Sequence, residues 1–319
     1  MDTLGDGNGS VLFDVAIIND TLAYAVGDLN FRDSLGNFTS PYGLAIWNGK
    51  KWKAMRIYAT GPTGSVSNLV PRGIFAFSAS DVWFASGGVF RWNGDSAATP
   101  FWINSFPGNP NPILLPGQTA EKLWGTSSQS LYAVGRQGAI AYYNGITWLR
   151  LNTGTTVDLQ DIWGSAAGGG MEILALASNS ISFPGAKQVF QINGTSVVAV
   201  ADTGLPLPLE GVWFFSKKQY WIVGDGAYQT DLIGKIWQED PRERSFYRFA
   251  IRGLATNDIV AVGGYGGIAH YNGLSWKAYA GNEVMTFFGN YYSVALHPKL
   301  AVAVGGYEGR KAIILVGKR

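Results

Sequence analysis

Short runs in which apolar and polar side chains alternate recur along the whole chain, and glycine or an Asn-Gly pair cuts off most of them. Residues 262–276, VGGYGGIAHYNGLSW, hold the pattern in its fullest form. An apolar strand ends in glycine, and a Gly-rich link leads to a second, alternating strand. An Asn-Gly turn follows, with a Trp three residues past the turn glycine. Alternation of period two marks strands with one buried face. Asn-Gly is expected as a two-residue hairpin turn, because both residues tolerate positive φ.

The same unit repeats in more worn form. Its small-apolar-Gly strand end stands at Ala25-Val26-Gly27, Ala85-Ser86-Gly87, Ala133-Val134-Gly135, Ala175-Leu176-Ala177, Ile222-Val223-Gly224, Ala261-Val262-Gly263 and Ala303-Val304-Gly305. These seven copies lie roughly 40–60 residues apart, the period of propeller blades. Another strand-like segment precedes each copy, at 12–18, 73–77, 123–126, 161–165, 211–215, 250–254 and 292–296. Asn-Gly pairs follow at Asn48, Asn93, Asn144, Asn193 and Asn272, and Trp52, Trp148 and Trp276 keep the same offset behind three of them. The fifth repeat substitutes Ile233-Gly234-Lys235 and still supplies Trp237.

Each repeat therefore predicts four strands, A to D. A sheet of four strands cannot bury both faces alone, whereas radial stacking covers each sheet with its neighbours. The expected fold is all-β: a seven-bladed β-propeller of four-stranded antiparallel blades, forming one domain over 1–319. The blades fall at about 11–57, 69–106, 121–152, 159–202, 209–240, 247–281 and 286–319. The last lacks a fourth strand of its own, and an open edge is a liability. Residues 2–5 are the natural closer, paired against 312–316.

Composition narrows the function classes. Charged residues are only 14% of the chain and the net charge is +2, too small to argue for nucleic acid. No apolar run is long enough for a membrane-spanning segment. Cysteine is absent, which removes disulfides, thiolate nucleophiles and Cys-ligated metals. A monomer is expected.

The motifs Asp161-Ile162-Trp163-Gly164, Ala261-Val262-Gly263, HYNGLSW at 270–276 and the terminal run 311–319 together resemble a group of exported bacterial propeller proteins of the Bacteroidetes and Ignavibacteria type. Members are often called glucosyltransferases. The resemblance covers essentially the whole chain, and its motifs are structural. It implies a secreted or cell-surface protein, either free or lipid-anchored upstream of Met1. It supplies no catalytic motif, and no α/β domain of the nucleotide-sugar transferase kind can be read in the sequence.

Connection lengths point to a site. The A–B and C–D connections are short, and both lie on one face of a propeller. The long B–C and D–A connections gather on the other, at 28–42, 58–72, 106–122, 179–187, 203–210, 239–247 and 280–290. Long loops on a rigid scaffold are usual carriers of function. Residues entering A strands or leaving B strands on that face converge on the channel mouth. The binding candidates are Asp28, Arg72, Lys122, Arg136, Asp225, Tyr228, Arg252, Tyr265, Tyr292 and Tyr307, with Arg248 and Glu308 beside them. Arginine, carboxylate and tyrosine around a concavity suit a polar ligand.

Catalytic sets are sparse. The two histidines, His270 and His297, fall on a C strand and in an A–B turn, away from the mouth, which disfavours Ser-His-Asp hydrolysis and a His-based metal site. A carboxylate pair for glycoside cleavage would come from Glu121, Asp161 and Glu210. The Asp-box of sialidases is absent. Gly263-Gly264-Tyr265-Gly266-Gly267 joins two strands rather than opening a helix, so it does not read as a phosphate loop. No cofactor is expected. Calcium held by Asp28, Asn30 and Asp33, or by Asp6 and Asn8, stays open. The expected function is non-catalytic recognition of a glycan or protein partner through the long-loop face and mouth. The alternative is a carbohydrate-active enzyme, a glycoside hydrolase or lyase, using carboxylates at the same mouth.

Overall fold

The structure is a computed structural model that describes residues 1–95, 97–105, 108–167, 170–179, 186–242, 246–279, 287–307 and 310–318. Seven sheets stand around a central channel, and no helix occurs among the described residues. The innermost strands are Val11–Asn19, Gly73–Ser78, Thr119–Ser127, Leu159–Ala167, Leu209–Phe215, Arg248–Ala255 and Gly289–His297. Each touches the innermost strands of the neighbouring sheets, which closes the ring. From there each sheet runs outward through antiparallel neighbours, as the repeat predicts.

The core lies between blades. Seven apolar clusters occupy the seven interfaces. Between blades 2 and 3, for example, Trp83 and Val89 meet Leu123, Leu131 and Trp148. Large side chains of one blade need small ones opposite, and two glycines show how tightly. A Cβ on Gly164 would stand 2.3 Å from the Trp124 ring of the preceding blade. One on Gly253 would stand 2.6 Å from the ring of Trp213. The glycine of the Asp-Ile-Trp-Gly motif is thus a seat for its neighbour's indole.

Closure comes from the N-terminal strand Asp2–Leu4, the outermost strand of blade 7. It pairs antiparallel with Lys311–Lys318 in the register Asp2 with Ile314, Thr3 with Ile313 and Leu4 with Ala312. This is the pairing expected from the sequence. The segment behind it is anchored to blade 1: Asp6 N–H donates to Asn30 O at 2.8 Å, and Arg32 N–H donates to the Asp6 carboxylate at 2.9 Å.

Two expectations change. The turns at Asn48, Asn144 and Asn272 are four-residue loops, not two-residue ones: Trp47 faces Trp52, Tyr143 faces Trp148 and Tyr271 faces Trp276. Only the glycine takes positive φ, at +85° for Gly49, +89° for Gly145 and +93° for Gly273. The Asn side chain instead accepts two backbone N–H groups, from Leu274 at 2.9 Å and Ser275 at 2.8 Å in blade 6. An Asx turn of this kind replaces left-handed backbone at Asn. The second change concerns connection 58–72. It folds into a hairpin, Ile57–Thr60 with Val66–Leu69, laid parallel on the outer strand Ala97–Phe101 of blade 2, which becomes a sheet of six strands.

Gly164→Ala and Gly253→Ala are expected to lower stability by about 1–3 kcal/mol each through overpacking. Gly317→Ala is the control, its new Cβ meeting Ala301 at an ordinary 3.7 Å. Urea melts of the three variants check this. Deleting residues 1–4 removes the closing strand and, at about 1 kcal/mol per lost backbone hydrogen bond, is expected to lower the thermal midpoint by several degrees. Differential scanning calorimetry reads it.

Candidate functional site

Six of the seven innermost strands carry a register shift near their first residues. The ladder skips from Leu12 to Asp14, Ala120 to Lys122, Leu159 to Asp161, Leu209 to Gly211, Arg248 to Ala250 and Tyr291 to Ser293. Each skip is a β-bulge, which leaves one residue out of the ladder and re-aims it. The residues re-aimed are Phe13, Glu121, Gln160, Glu210, Phe249 and Tyr292. All six line one cavity of about 490 Å³ at the channel mouth, where Arg72 of blade 2 joins them. The residue before each bulge is buried, so the bulge is the hinge between core and mouth.

Taken blade by blade, the mouth has two arcs. Blades 6, 7 and 1 supply Phe249, Tyr292 and Phe13. The Phe249 ring meets Tyr247 at 4.9 Å and Tyr292 at 5.4 Å, edge to face. Blades 2 to 5 supply Arg72, Glu121, Lys122, Arg136, Asp158, Gln160, Asp161 and Glu210. At the rim two contacts join the arcs: the Arg72 guanidinium lies 4.6 Å over the Phe13 ring, and Tyr247 donates its hydroxyl to Glu210 at 2.5 Å.

The charges sort by depth. In the channel, Lys122 pairs with Asp14 at 3.1 Å. Asp14 also accepts from the Ser293 hydroxyl at 2.6 Å and from the Ile74 N–H at 3.2 Å. Arg252 grips Asp161 with two hydrogen bonds of 2.8 and 2.9 Å, and Asp161 accepts the Val212 N–H of the next blade at 3.0 Å. Burial acts to lower the Arg252 pKa; the charge and hydrogen bonds of Asp161, with the charge of Asp14, outweigh it and raise it. These buried pairs tie blades together and are mutually satisfied.

At the rim the balance differs. Arg72 and Arg136 share one carboxylate, Glu121, at 3.5 and 3.3 Å, with their own side chains about half exposed at 49% and 53%. Further along the same arc stand Asp158, which accepts the N–H of Gln137, the neighbour of Arg136, at 2.8 Å, and Glu210. Burial pushes the Glu210 carboxyl up, and the Tyr247 hydrogen bond offsets part of that rise. Tyr247 is itself raised, by burial first and by its bond to Glu210 second. The rim is therefore polarised, with spare positive charge on blades 2 and 3 and carboxylates on blades 4 and 5.

Of the residues singled out in the sequence, Arg72, Glu121, Lys122, Arg136, Asp161, Glu210, Arg252 and Tyr292 meet at this mouth. Others do not. Tyr228 is buried in the core between blades 4 and 5, because the B–C connection there is a tight turn at Gly226 that sends Tyr228 straight back into the sheet. Arg248 precedes a bulge and is fully buried beside Phe246, to whose carbonyl it donates at 3.2 Å. Tyr307 is half-buried, 6.1 Å from Phe287. Asp225 is exposed beyond the cavity, although its charge reaches Tyr247. Tyr265 lines a neighbouring pocket. Glu308 and residues 180–185, 243–245 and 280–286 of the long connections lie outside the described residues. Sequence reasoning missed Phe13 and Phe249. Their signal is a broken alternation at the start of the A strand, where Leu12-Phe13-Asp14 puts two residues in a row off the core.

The carboxylates weighed as calcium ligands serve the backbone or each other's neighbours. Asp33 accepts the Leu35 and Asn37 N–H groups at 2.9 Å, and Asp28 accepts from the Asn30 amide at 3.0 Å. Among the described residues no three His, Cys, Asp or Glu side chains gather to hold a metal. His270 contacts Asp258 at 3.0 Å on the outer part of blade 6, away from the mouth. Among the described residues no helix is long and apolar enough to cross a membrane.

No family model matches the chain, and no curated protein matches it. Solved structures do. The chain is similar to YCF48 bound to D1 peptide, with a TM-score of 0.65 at 14% identity over 98% of this chain and 95% of that one. It is similar to the WD40 β-propeller domain of Doa1, with a TM-score of 0.65 at 11% identity over 98% and 95%. YCF48 from Cyanidioschyzon merolae matches with a TM-score of 0.61 at 14% identity over 98% and 97%. At such identities the likeness carries the fold: this chain is a seven-bladed β-propeller.

Proposed function

We propose that the protein is a recognition module whose channel mouth holds an extended segment of a partner protein. The observation that carries this reading is the division of the mouth into an aromatic arc and a polarised charged arc. Aromatic and arginine side chains in a concavity are the usual anchors of protein binding. Spare guanidinium charge and carboxylates following one another along the rim match a ligand that bears both signs, as a polypeptide does and a neutral glycan does not. The similar propeller YCF48 is seen with a peptide, which supports the same reading. A secreted or cell-surface setting, which the resemblance to exported bacterial propellers implies, would place the partner outside the cell.

A glycoside-cleaving enzyme is the second reading, and one observation speaks for it: the raised Glu210 carboxyl, a property of general acids. The other carboxylates speak against it. Asp161 is held by Arg252 and a backbone N–H, and Glu121 is shared by two arginines. Neither is free to act as the nucleophile or base that the reaction needs.

Selection of a displayed random peptide library on the immobilised protein tests the first reading. Enriched peptides are expected to bind the Arg72→Ala/Arg136→Ala double variant about tenfold more weakly or worse. Failure to enrich any peptide, or equal binding to the double variant, sinks the reading. A chromogenic glycosidase panel, with Glu210→Gln as control, tests the second: turnover lost in that variant would establish it.

Glu210 also sets a pH dependence. A carboxyl raised in the folded state contributes stability that is fully present below its unfolded value, about pH 4, and lost as pH rises through the folded value. Glu210→Gln keeps an acceptor for Tyr247 and removes the charge. It is expected to be more stable than the parent protein at about pH 7, with the gap closing towards about pH 4. Paired urea melts at the two pH values check this.

A further inference from the structure

Beside the mouth lies a second cavity of about 440 Å³, and the two share Phe13 and Tyr292 as a common wall. The far side of the second cavity is made by Tyr265 and Phe288, whose rings stand 6.4 Å apart at 78°. Both are large and exposed, at 71% and 63%, and neither belongs to an inter-blade core cluster. The lining holds no charged residue: glycines, Ser10, Val11 and Asn290 complete it. Asn290 donates to the Tyr292 hydroxyl at 3.3 Å.

The fold does not ask for an aromatic at position 265. Tyr265 sits at φ +55° in the turn between the B and C strands of blade 6. Blade 3 makes the same turn with Gln137 at φ +54°. The hydrogen bonds correspond: Gly267 N–H to Gly264 O at 2.9 Å in one, Ala139 N–H to Arg136 O at 3.2 Å in the other. Left-handed backbone favours glycine or asparagine over a bulky ring. A tyrosine held there and turned to solvent, opposite a second exposed ring, is an outlier that points to binding.

Building on the reading of the mouth as a peptide site, we infer that Tyr265 and Phe288, with Phe13 and Tyr292, form an uncharged subsite that takes a ring side chain, proline or aromatic, of the same partner segment. The charged arc selects the ionic residues of that segment. The neutral pocket excludes a carboxylate, because no positive charge in it repays the desolvation of an anion. Aromatic-walled grooves are a recurring seat for proline-bearing extended chains, whose backbone loses little freedom on binding.

The displayed library decides the matter with two further variants, Tyr265→Asn and Phe288→Ser. Asparagine tolerates the left-handed backbone, and thermal melts confirm that both variants fold. Peptides selected on the parent protein are expected to carry a proline or aromatic residue at a fixed spacing from their charged residues. Each variant is expected to bind them about tenfold more weakly. Replacing the peptide's ring residue by alanine is expected to weaken binding to the parent by the same factor and to the variants hardly at all. Selected peptides that lose binding with Arg72→Ala/Arg136→Ala but show no ring preference leave the mouth reading intact and overturn the subsite. A glycan-array hit that Tyr265→Asn abolishes, with no ring preference in any peptide, overturns it in favour of a sugar. If no peptide is enriched, both readings fall together.

Discussion

A narrow sheet with two apolar faces has to hide both, and in this protein only another sheet of the same kind is available to hide them. Burial between blades is the interaction on which the rest depends. It explains why the core is divided into seven parts rather than gathered at a centre. It explains why a tryptophan on one blade faces a glycine on the next. It also explains why the last blade borrows its outer strand from the start of the chain. A ring with one uncovered seam would expose apolar surface along the whole height of a blade.

The same ring creates the cavity, and the bulges furnish it. Strict alternation would turn the side chains of an inner strand to one neighbouring blade or the other, into the core. One extra residue near the start of the strand breaks the rule at the level of the mouth. Below that level the charges are paired and hydrogen-bonded, as buried charges must be. Above it, Arg72 and Arg136 retain half their surface in solvent. The difference between a structural ion pair and a binding group is thus a matter of a few residues' height along the same strands.

How much of this the sequence discloses depends on the range of the forces involved. Alternation, strand-ending glycines and the recurring tryptophans report contacts made once per repeat, so the fold and the closing strand are legible. The convergence of Arg72, Glu121, Lys122, Asp161, Glu210 and Arg252 follows from their shared position at the entry to inner strands. What is not legible is decided by one local choice or one distant partner. Asn-Gly reads as a tight turn until the asparagine side chain takes the N–H groups of Leu274 and Ser275. The hairpin within 58–72 exists because the outer strand of blade 2 offers it an edge, at a separation no local pattern records. Tyr228 and Tyr265 both follow a B strand and look alike in sequence. A tight turn buries the first, and a longer turn presents the second.

The bulged residues stand outside both the ladder and the core, and each comes from a different blade. An exchange at Phe13, Gln160 or Phe249 alters what the cavity can grip while leaving the inter-blade core clusters untouched. The mouth thereby resembles a lock whose tumblers can be recut one at a time, and a lineage built on this body could change its ligand in single steps while the wheel beneath stayed the same.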